Sequence, residues 1–320
     1  MGDREQRRAR VVVIGSYAVG LVMRTSRIPA RGETVLGRDF RRMDGGKGSN
    51  QAVACARLGA HTTFVAAIGD DAYGREALAL LAREGVDASH VRNVPELATG
   101  AGFIVVADDG DNAIAVDLGA NRALSRDDID RAEGAIAEAD VVLAQLEIPL
   151  DTVLYAVAVA RRHGVRTILN PAPAPELPVG DLSDVDILTP NVTEAQAIAG
   201  WSHGDASTLG AALLRNGVGA IVLTVGENGA HIIDGRGGRA VPTYPVDAVD
   251  TTGAGDAFSA ALAVALGEGE PLDDAVAFAC LAGAFSVQSL GTVPSYATRA
   301  ELAALRRRVD DRAAPRSRVK

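Results

Sequence analysis

Short runs of apolar, often β-branched residues recur along the chain and are separated by segments in which apolar residues follow a helical period. Continuous apolar runs between helices are typical of buried strands in a parallel sheet that is covered on both faces. The pattern therefore predicts an α/β fold in three layers around a doubly wound, mostly parallel sheet. The predicted strands are residues 11–14, 63–68, 140–146, 167–169, 185–188 and 220–224.

Helical periodicity is clearest in six segments, and single residues mark where some of them begin or end. Ser125 precedes one segment and is a candidate N-cap, while Gly164 follows another and favours a helix end. The last two segments are expected to form a helical pair. The predicted helices are residues 49–58, 73–84, 127–139, 151–163, 254–266 and 273–289.

Two stretches interrupt this alternation and predict a separate small sheet. The first is residues 33–40, and the second is a hairpin in which the polar turn 108–112 joins two apolar runs. Because ligands of parallel α/β sheets gather at the carboxyl ends of the strands, we expect a β lid there, near residues 17–44 and 99–120. Its strands have open edges, and pairing of lids in a homodimer is one way to cover them.

Size and composition fit a single domain over residues 11–300, with charged tails at residues 1–10 and 306–320. The net charge of −9 argues against a nucleic-acid partner, because such binding depends on clustered Lys and Arg. No apolar stretch reaches the ~20 residues that span a bilayer, and the first residues lack a signal-peptide pattern. We therefore expect no membrane partner and a cytoplasmic location. Cys55 and Cys280 are expected to be buried free thiols.

The turn that opens the predicted helix 254–266 combines three small residues with an acid. Gly253, Ala254 and Gly255 leave the amides at the helix start unshielded, where N–H groups and the helix dipole stabilise an anion. Asp256 could accept a proton from an attacking hydroxyl while these amides stabilise a transferring phosphoryl group. Taken alone, the turn fits a capped helix start equally well.

A second Gly-rich loop opens another predicted helix. Gly45, Gly46 and Gly48 permit close approach of the backbone to a ligand, and their spacing is neither that of a P-loop nor that of a dinucleotide-binding fingerprint. Asn50 could hydrogen-bond to substrate hydroxyls, and Lys47 could meet a negative group. The alternative is an ordinary helix-start turn with a solvated Lys47.

These two motifs, in this order and about two hundred residues apart, resemble the two signatures of the ribokinase-like (PfkB-type) carbohydrate kinases. Further segments are similar to that family in the same order, so the resemblance covers roughly residues 11–300. It implies an ATP-dependent kinase that phosphorylates a hydroxyl of ribose or of a related sugar. The further segments are residues 32–34, 69–74, 119–121, 145–147, 170–174, 189–194, 224–229 and 291–295.

Carried over position by position, the resemblance implies roles for the residues of both motifs. Asp256 would be the general base, and the amides of residues 253–255 would form the anion hole. One ordinary carboxylate suffices, because the transition state of phosphoryl transfer is loose and positioning does most of the work. The residues implied to contact the sugar are Gly45, Gly46, Lys47, Asn50, Glu147 and Asp256.

The resemblance also implies a nucleotide site and two cation sites, with ATP and Mg²⁺ as cofactors and K⁺ as an activator. Asn191 and Glu194 match an Asn-x-x-Glu element that positions Mg²⁺ and phosphate, largely through water. A helix start at Thr193 would also explain Glu194. The nucleotide would contact Asn191, Thr224, Gly226, Gly229 and Gly255, and K⁺ would be held by Asp250, Thr252, Gly291 and Ser295.

The chain departs from the family pattern just after its first strand. There the family has an Asn and, two residues later, an Asp, and these hold the sugar hydroxyls. This chain has Ala18 and Gly20 instead, and losing one hydrogen bond to a carboxylate costs about 1.5–3 kcal/mol. Asp44, Tyr17 and Arg24 are the candidates to replace the lost contacts.

The sequence leaves the substrate open. Ribose or another sugar ranks first, a nucleoside second, because the small residues at positions 18 and 20 enlarge the pocket, and a phosphorylated sugar third. Outside the enzyme class, the alternative is a catalytically silent sensor that binds sugar and nucleotide. The presence of Asp256, Asn191 and Glu194 speaks against the sensor.

Overall fold

The computed structural model describes residues 7–175, 179–201 and 203–313, which form two sheets and the helices around them. The outermost parts of both predicted charged tails lie outside these residues. The strands are β1 (Arg10–Ile14), β2 (Ala18–Thr25), β3 (Gly37–Gly45), β4 (His61–Gly69), β5 (Asp87–Val94), β6 (Gly100–Ala107), β7 (Asn112–Asp117), β8 (Val141–Gln145), β9 (Arg166–Asn170), β10 (Ile187–Leu188), β11 (Ala220–Thr224), β12 (Ala230–Asp234) and β13 (Gly237–Val241).

The helices cover both faces of the larger sheet. Among the described residues, none of them is both long and apolar enough to cross a membrane. They are α1 (Lys47–Arg57), α2 (Ala72–Arg83), α3 (Arg126–Arg131), α4 (Glu133–Ala137), α5 (Leu150–Arg162), α6 (Val192–Ala199), α7 (Ala206–Leu214), α8 (Ala254–Gly267), α9 (Leu272–Ser286) and α10 (Arg299–Ala313).

The larger sheet has nine strands in the order β13-β12-β11-β10-β9-β8-β1-β4-β5 and is parallel from β11 to β5. Successive residues of β1 alternate between two cores: Val11 and Val13 pack with α1, α8 and α9, whereas Val12 and Ile14 pack on the side of α5. This alternation explains why the sequence of β1 is apolar throughout. The predicted three-layer, mostly parallel α/β fold is confirmed.

Several predicted elements differ from the observed ones. The single helix predicted over residues 127–139 is two short helices that are interrupted at Ala132, where φ is −92° and ψ is −1°, and Gly134 weakens the second helix. The predicted N-cap is present: the Asp128 carboxylate accepts hydrogen bonds from the amide and hydroxyl of Ser125. The strand predicted at 185–188 is reduced to Ile187–Leu188.

Other elements were not predicted. The edge strand β5 lacks a continuous apolar run, and β12 and β13 form a short antiparallel hairpin at the opposite edge. Helices α7 and α10 were missed as well, and α6 was anticipated only as a possible helix start at Thr193. Residues 306–313, expected to belong to a charged tail, continue α10, whose Leu302 and Leu305 are buried in the core.

The smaller sheet contains the segments predicted as a lid, in the order β3-β2-β6-β7. The predicted hairpin is present as antiparallel β6 and β7, and β2 pairs with β6 in parallel. Strand β2 follows β1 after three residues, and β3 runs directly into α1. The lid sheet is therefore attached at the carboxyl end of β1, where the two Gly-rich motifs also lie.

Candidate active site

The predicted base, Asp256, lies in the first turn of α8 and is only 5% exposed. Two amide side chains from α1 hold its carboxylate: Asn50 Nδ2 donates to Oδ2 at 2.9 Å, and Gln51 Nε2 donates to Oδ1 at 2.9 Å. The two motifs, about two hundred residues apart in sequence, therefore meet at one carboxylate. Each of its oxygens retains lone pairs for a substrate proton.

The start of α8 presents unpaired backbone amides beside this carboxylate. Within the described part of the chain, the amides of Gly253 and Gly255 have no backbone acceptor, whereas Ala254 N donates to the Thr251 carbonyl at 3.2 Å. Two of the three amides expected in the anion hole are thus free. Gly253 has φ of 80°, and a Cβ there would lie 2.7 Å from the Tyr296 hydroxyl, so only glycine fits.

Lys47 lies among three carboxylates at the first turn of α1. Burial lowers the pKa of Lys47, but Asp256, Glu147 and Glu194 outweigh burial, and the net shift is upward. Burial also raises the pKa of Asp256, and this effect exceeds the opposing influence of Lys47 and of the two amide donors. Lys47 therefore remains protonated, and Asp256 is a stronger base than an ordinary aspartate.

Glu147 lies beside the second Gly-rich motif, as the resemblance implied. Its Oε2 accepts hydrogen bonds from the Lys47 amide at 2.8 Å and from the Ser16 hydroxyl. It therefore fixes the start of α1 against the loop after β1. Gly46 is tightly packed there: its φ is 88°, and a Cβ would lie 2.7 Å from the Ala18 nitrogen.

Asn191 and Glu194 form a reciprocal cap at the start of α6. Glu194 Oε2 accepts from the Asn191 amide at 2.8 Å, and Asn191 Oδ1 accepts from the Glu194 amide at 2.8 Å. Burial raises the pKa of Glu194, against the effect of the Asn191 amide and of Lys47. The helix-cap interpretation is thus correct, and Glu194 also lies close enough to the site to interact with Lys47.

The nucleotide-binding candidates surround the ends of β10 and β11. Thr224 ends β11 and forms an isolated bridge with Asn191. Gly226 and Gly229 follow with φ of 59° and 86°, in a turn that packs against β13. A cavity of about 180 Å³ connects this region with the base; its lining includes Lys47, Asn191, Glu194, Thr224, Gly253 and Asp256.

The residues implied to hold K⁺ belong to two loops, residues 250–252 and 291–295, and the Asp250 side chain joins these loops by hydrogen bonds. The Asp250 carboxylate accepts from the Thr252 amide and from the Gly291 amide, both at 2.9 Å. The buried hydroxyl of Ser295 donates to the Thr292 carbonyl at 2.7 Å, which leaves its oxygen able to accept or coordinate. The structure therefore brings these four candidates into one region beside the start of α8.

Small or apolar residues form the part of the lid sheet that lies nearest this site. Ala18 and Gly20 pair with Gly45 and Met43 across β3, so these four residues share one face. A Cβ on Gly291 would lie 2.3 Å from the Met43 methyl carbon, which places this face against the loop at residue 291. Met43 was not predicted as a site residue.

Asp44 and Tyr17 lie on the opposite face of the lid. Asp44 pairs with Val19, and the Tyr17 hydroxyl donates to Asp44 Oδ1 at 3.0 Å. Neither side chain replaces the contacts missing at positions 18 and 20, because adjacent strand residues point to opposite faces.

The arginine side chains of the lid also lie away from the site. Arg24 is exposed near the far end of β2, and Arg42 forms an ion pair with Glu76.

Sequence reasoning missed three buried amide side chains next to the base. Gln51 follows Asn50 in α1, and Gln145 and Asn170 are the last residues of β8 and β9. Gln145 and Asn170 each lie at a strand end in a segment similar to the family, which was the signal that could have found them. Two larger cavities, of about 500 and 340 Å³, lie away from these strand ends and contain neither Gly-rich motif.

The architecture and the arrangement at the carboxyl ends of the strands define an α/β kinase fold of the ribokinase-like kind. A family model described as pfkB family carbohydrate kinase matches residues 8–299. The chain belongs to this family.

Individual relatives cover nearly the whole chain. The ribokinase of Bacillus subtilis is 40% identical over 293 residues, covering 91% of this chain and 97% of that protein. The deoxyribokinase of Salmonella typhi is 36% identical over 290 residues, covering 89% and 95%. The structure of Arabidopsis thaliana ribokinase complexed with ribose and ATP is 31% identical with a TM-score of 0.86, covering 93% of this chain and 99% of that one. The predicted class, an ATP-dependent carbohydrate kinase, is confirmed.

Proposed function

We propose that the protein transfers the γ-phosphoryl group of ATP to a hydroxyl of ribose or of a closely related sugar, with Asp256 as the general base. The observation that carries this proposal is the position of Asp256. It is a buried carboxylate in the first turn of α8, adjacent to the free amides of Gly253 and Gly255. The relatives named ribokinase and deoxyribokinase support the sugar class.

The proposed reaction needs little beyond this arrangement. Asp256 accepts the proton of the sugar hydroxyl as its oxygen attacks phosphorus, while Lys47 and the free amides of α8 stabilise the charge on the transferring group. The buried neighbours exclude water, which strengthens these interactions. Asn50 and Glu147, together with the backbone at Gly45 and Gly46, orient the sugar in this proposal.

Oxygen ligands for two cations are available at the site. The buried Glu194 carboxylate, with Asn191, fits Mg²⁺ held largely through water, because burial already disfavours its uncompensated charge. Mg²⁺ would neutralise charge on the phosphates of ATP. Asp250 and Ser295, with the carbonyls of Thr252 and Gly291, fit the expected monovalent site for K⁺. The nucleotide would occupy the region of Thr224, Gly226 and Gly229.

A homodimer through the lid is part of the proposal, as is a cytoplasmic location. The lid carries two large apolar side chains that are mostly exposed and share one face: Ile114 at 60% and Val116 at 55%. An exposed apolar patch rimmed by open strand edges is a common site of association. Light scattering of the wild type and of Ile114→Asp tests this assignment, and a monomeric wild type would contradict it.

ADP formation measured with Mg²⁺ tests the proposed reaction. Pentoses, deoxypentoses, hexoses, nucleosides and sugar phosphates are compared with and without K⁺. We expect ATP turnover that depends on a free sugar and is almost abolished in Asp256→Asn. Asp127→Asn, which changes an exposed aspartate at the start of α3, is the control and is expected to retain activity.

Two results would contradict the proposal. Unchanged turnover in a folded Asp256→Asn variant would exclude Asp256 as the base. Binding of sugar and nucleotide with no ADP formation across the whole panel would favour the sensor alternative.

A further inference from the structure

A chain of buried amide side chains connects Asp256 to the carboxyl ends of three neighbouring strands. Gln51 Nε2 donates to Asp256 Oδ1 at 2.9 Å and to Asn170 Oδ1 at 3.0 Å. Gln145 Nε2 donates to Gln51 Oε1 at 2.6 Å, and Asn170 Nδ2 donates to the Thr189 carbonyl at 2.9 Å. Gln51 and Gln145 are completely buried.

The ionised state of Asp256 sets the direction of every hydrogen bond in this chain. A carboxylate only accepts hydrogen bonds, so Gln51 must turn its NH₂ group toward Asp256 and its oxygen toward Gln145. Gln145 must then present its own NH₂ group to that oxygen. Its Oε1 is left buried without a hydrogen-bond partner among the described residues, facing Gly15.

A buried oxygen without a hydrogen-bond partner is unfavourable. At Gln145 it accompanies the orientation in which the amide side chains direct their donors toward Asp256. Among the described residues, the side-chain amide of Gln51 bonds to Asp256, Asn170 and Gln145 and to no residue of the lid. We propose that Gln51 is a positioning residue that fixes the rotamer and the ionised state of Asp256, and that Gln145 holds Gln51 in the donating orientation. This inference rests on the proposed function of Asp256 as the base.

Several charged and titratable groups around Asp256 affect whether its carboxyl group is ionised. Lys47 stabilises the carboxylate, Glu147 and Glu194 destabilise it, and the buried Tyr296 hydroxyl lies within electrostatic range. Burial of Asp256 favours the protonated form, which cannot act as a base. The donors on its two oxygens, Asn50 and Gln51, oppose that effect directly.

Gln51→Leu tests the positioning role through the pH dependence of kcat/KM. Removing one donor to a charged group is expected to move the acid limb upward by about one pH unit, because the ionised form of Asp256 loses stabilisation. We expect kcat to fall while KM for the sugar changes little. Thr152→Val removes a buried hydrogen bond in α5, away from the site, and is expected to leave the acid limb unchanged.

Two further variants separate positioning from simple packing. Gln51→Glu keeps the shape of the side chain but puts a second carboxyl group beside Asp256, so the pair should retain a proton to a higher pH than Asp256 does in Gln51→Leu. If Gln51 serves only to pack α1, Gln51→Glu should be the milder change. Gln145→Leu should shift the limb in the same direction as Gln51→Leu, but less, because it acts through Gln51.

A folded Gln51→Leu variant whose acid limb matches that of the wild type would overturn the proposal. The carboxyl pKa of Asp256 provides a readout that does not depend on turnover. It is obtained by ¹³C NMR of labelled aspartate, with Asp256→Asn identifying the resonance. A wild type that phosphorylates no sugar but shows a higher Asp256 pKa in Gln51→Leu would contradict the proposed function and leave the positioning role intact.

Discussion

The two sides of the candidate site are built differently. On the floor, where α1 and α8 meet the strand ends, the polar side chains around Asp256 are buried and held by one another. The lid contributes a wall of small or apolar residues, and Ile114 and Val116 on the same face as Gly20 are largely exposed. In the proposed reaction, rigid donors surround the base, while the wall that would face the rest of the substrate carries few polar restraints.

This difference indicates how the two functions of the site are divided. A change at Gln51 on the floor disturbs several hydrogen bonds at once, because its amide bonds to Asp256, Asn170 and Gln145. A change on the lid alters one contact with the substrate and leaves the base in place. We therefore expect floor variants to reduce kcat for every sugar, and lid variants to alter the preference among sugars.

The largest effect is expected from Gly253→Ala on the floor. Alanine at position 253 would have to adopt a left-handed backbone conformation with φ of 80°. Its Cβ would also lie 2.7 Å from the Tyr296 hydroxyl, so the start of α8 must shift. We expect kcat to fall by about 100-fold or more, since displacement of a reacting group by 1 Å has effects of that size. Steady-state kinetics check this expectation.

Gly269→Ala is the matched control for backbone strain. Gly269 has φ of 93° just after the end of α8, and a Cβ there would meet no atom within 4 Å. The two variants should lose similar stability from the strained backbone, about 1–3 kcal/mol, but only Gly253→Ala should lose activity. Equal activity losses would show that strain in α8, not the geometry of the amides, is responsible.

A smaller effect is expected from Gly20→Asp on the lid. Gly20 does not have a positive φ, and a Cβ would meet its nearest atom, Ile104 Cδ1, at 3.5 Å, so the change is tolerated. A restored carboxylate should add about 1.5–3 kcal/mol of binding to vicinal hydroxyls, or roughly tenfold or more in kcat/KM for ribose. Gly20→Ala controls for lost space, and an unaltered preference among sugars would contradict the division between floor and lid.

Tyr17→Phe tests the other face of the lid and should affect stability alone. It removes the hydrogen bond to Asp44, for which we expect a loss of about 1 kcal/mol in the free energy of unfolding with sugar kinetics unchanged. Tyr155→Phe, which removes an exposed hydrogen bond to Asp130, is the control. Denaturant unfolding measures both, and an altered KM for sugar in Tyr17→Phe would mean that this face contacts substrate.

The smallest effect is expected from Tyr296→Phe. The Tyr296 hydroxyl is buried and has no hydrogen-bond partner among the described residues, and burial raises its pKa well above the usual value. Removing a hydroxyl that makes no bond should leave stability unchanged or increase it by up to about 1 kcal/mol. A clear loss of kcat in this variant would show that the hydroxyl takes part in the anion site.

The sequence was sufficient to predict the floor in outline and insufficient to orient the lid. Gly253 and Gly255 could be recognised because their turn and the Gly-rich loop at residues 45–48 occur in an order that resembles one family. Whether Asp44 or Met43 faces the site depends on strand pairing, and a shift of one residue exchanges the two faces. That pairing is long-range, so Asp44 was a reasonable candidate from sequence, and the register excludes it.

The buried amides were missed for a different reason. Gln51, Gln145 and Asn170 come from three elements, and their role depends on contacts between residues far apart in sequence, of which Gln51 to Asp256, at 205 positions, is the longest. Glutamine and asparagine carry no spacing rule comparable to that of a Gly-rich turn. The edge strand β5 was missed similarly, because only one face of it is covered and its sequence is polar.

The contact between Gly15 and Gln145 has a consequence for sequence variation among relatives. A Cβ on residue 15 would lie 2.0 Å from Gln145 Oε1 and 2.8 Å from the Gly48 Cα. Alanine at position 15 is therefore incompatible with glutamine at position 145 unless the chain around both shifts. Evolution should therefore substitute these two positions together, with any larger residue at 15 accompanied by a shorter one at 145.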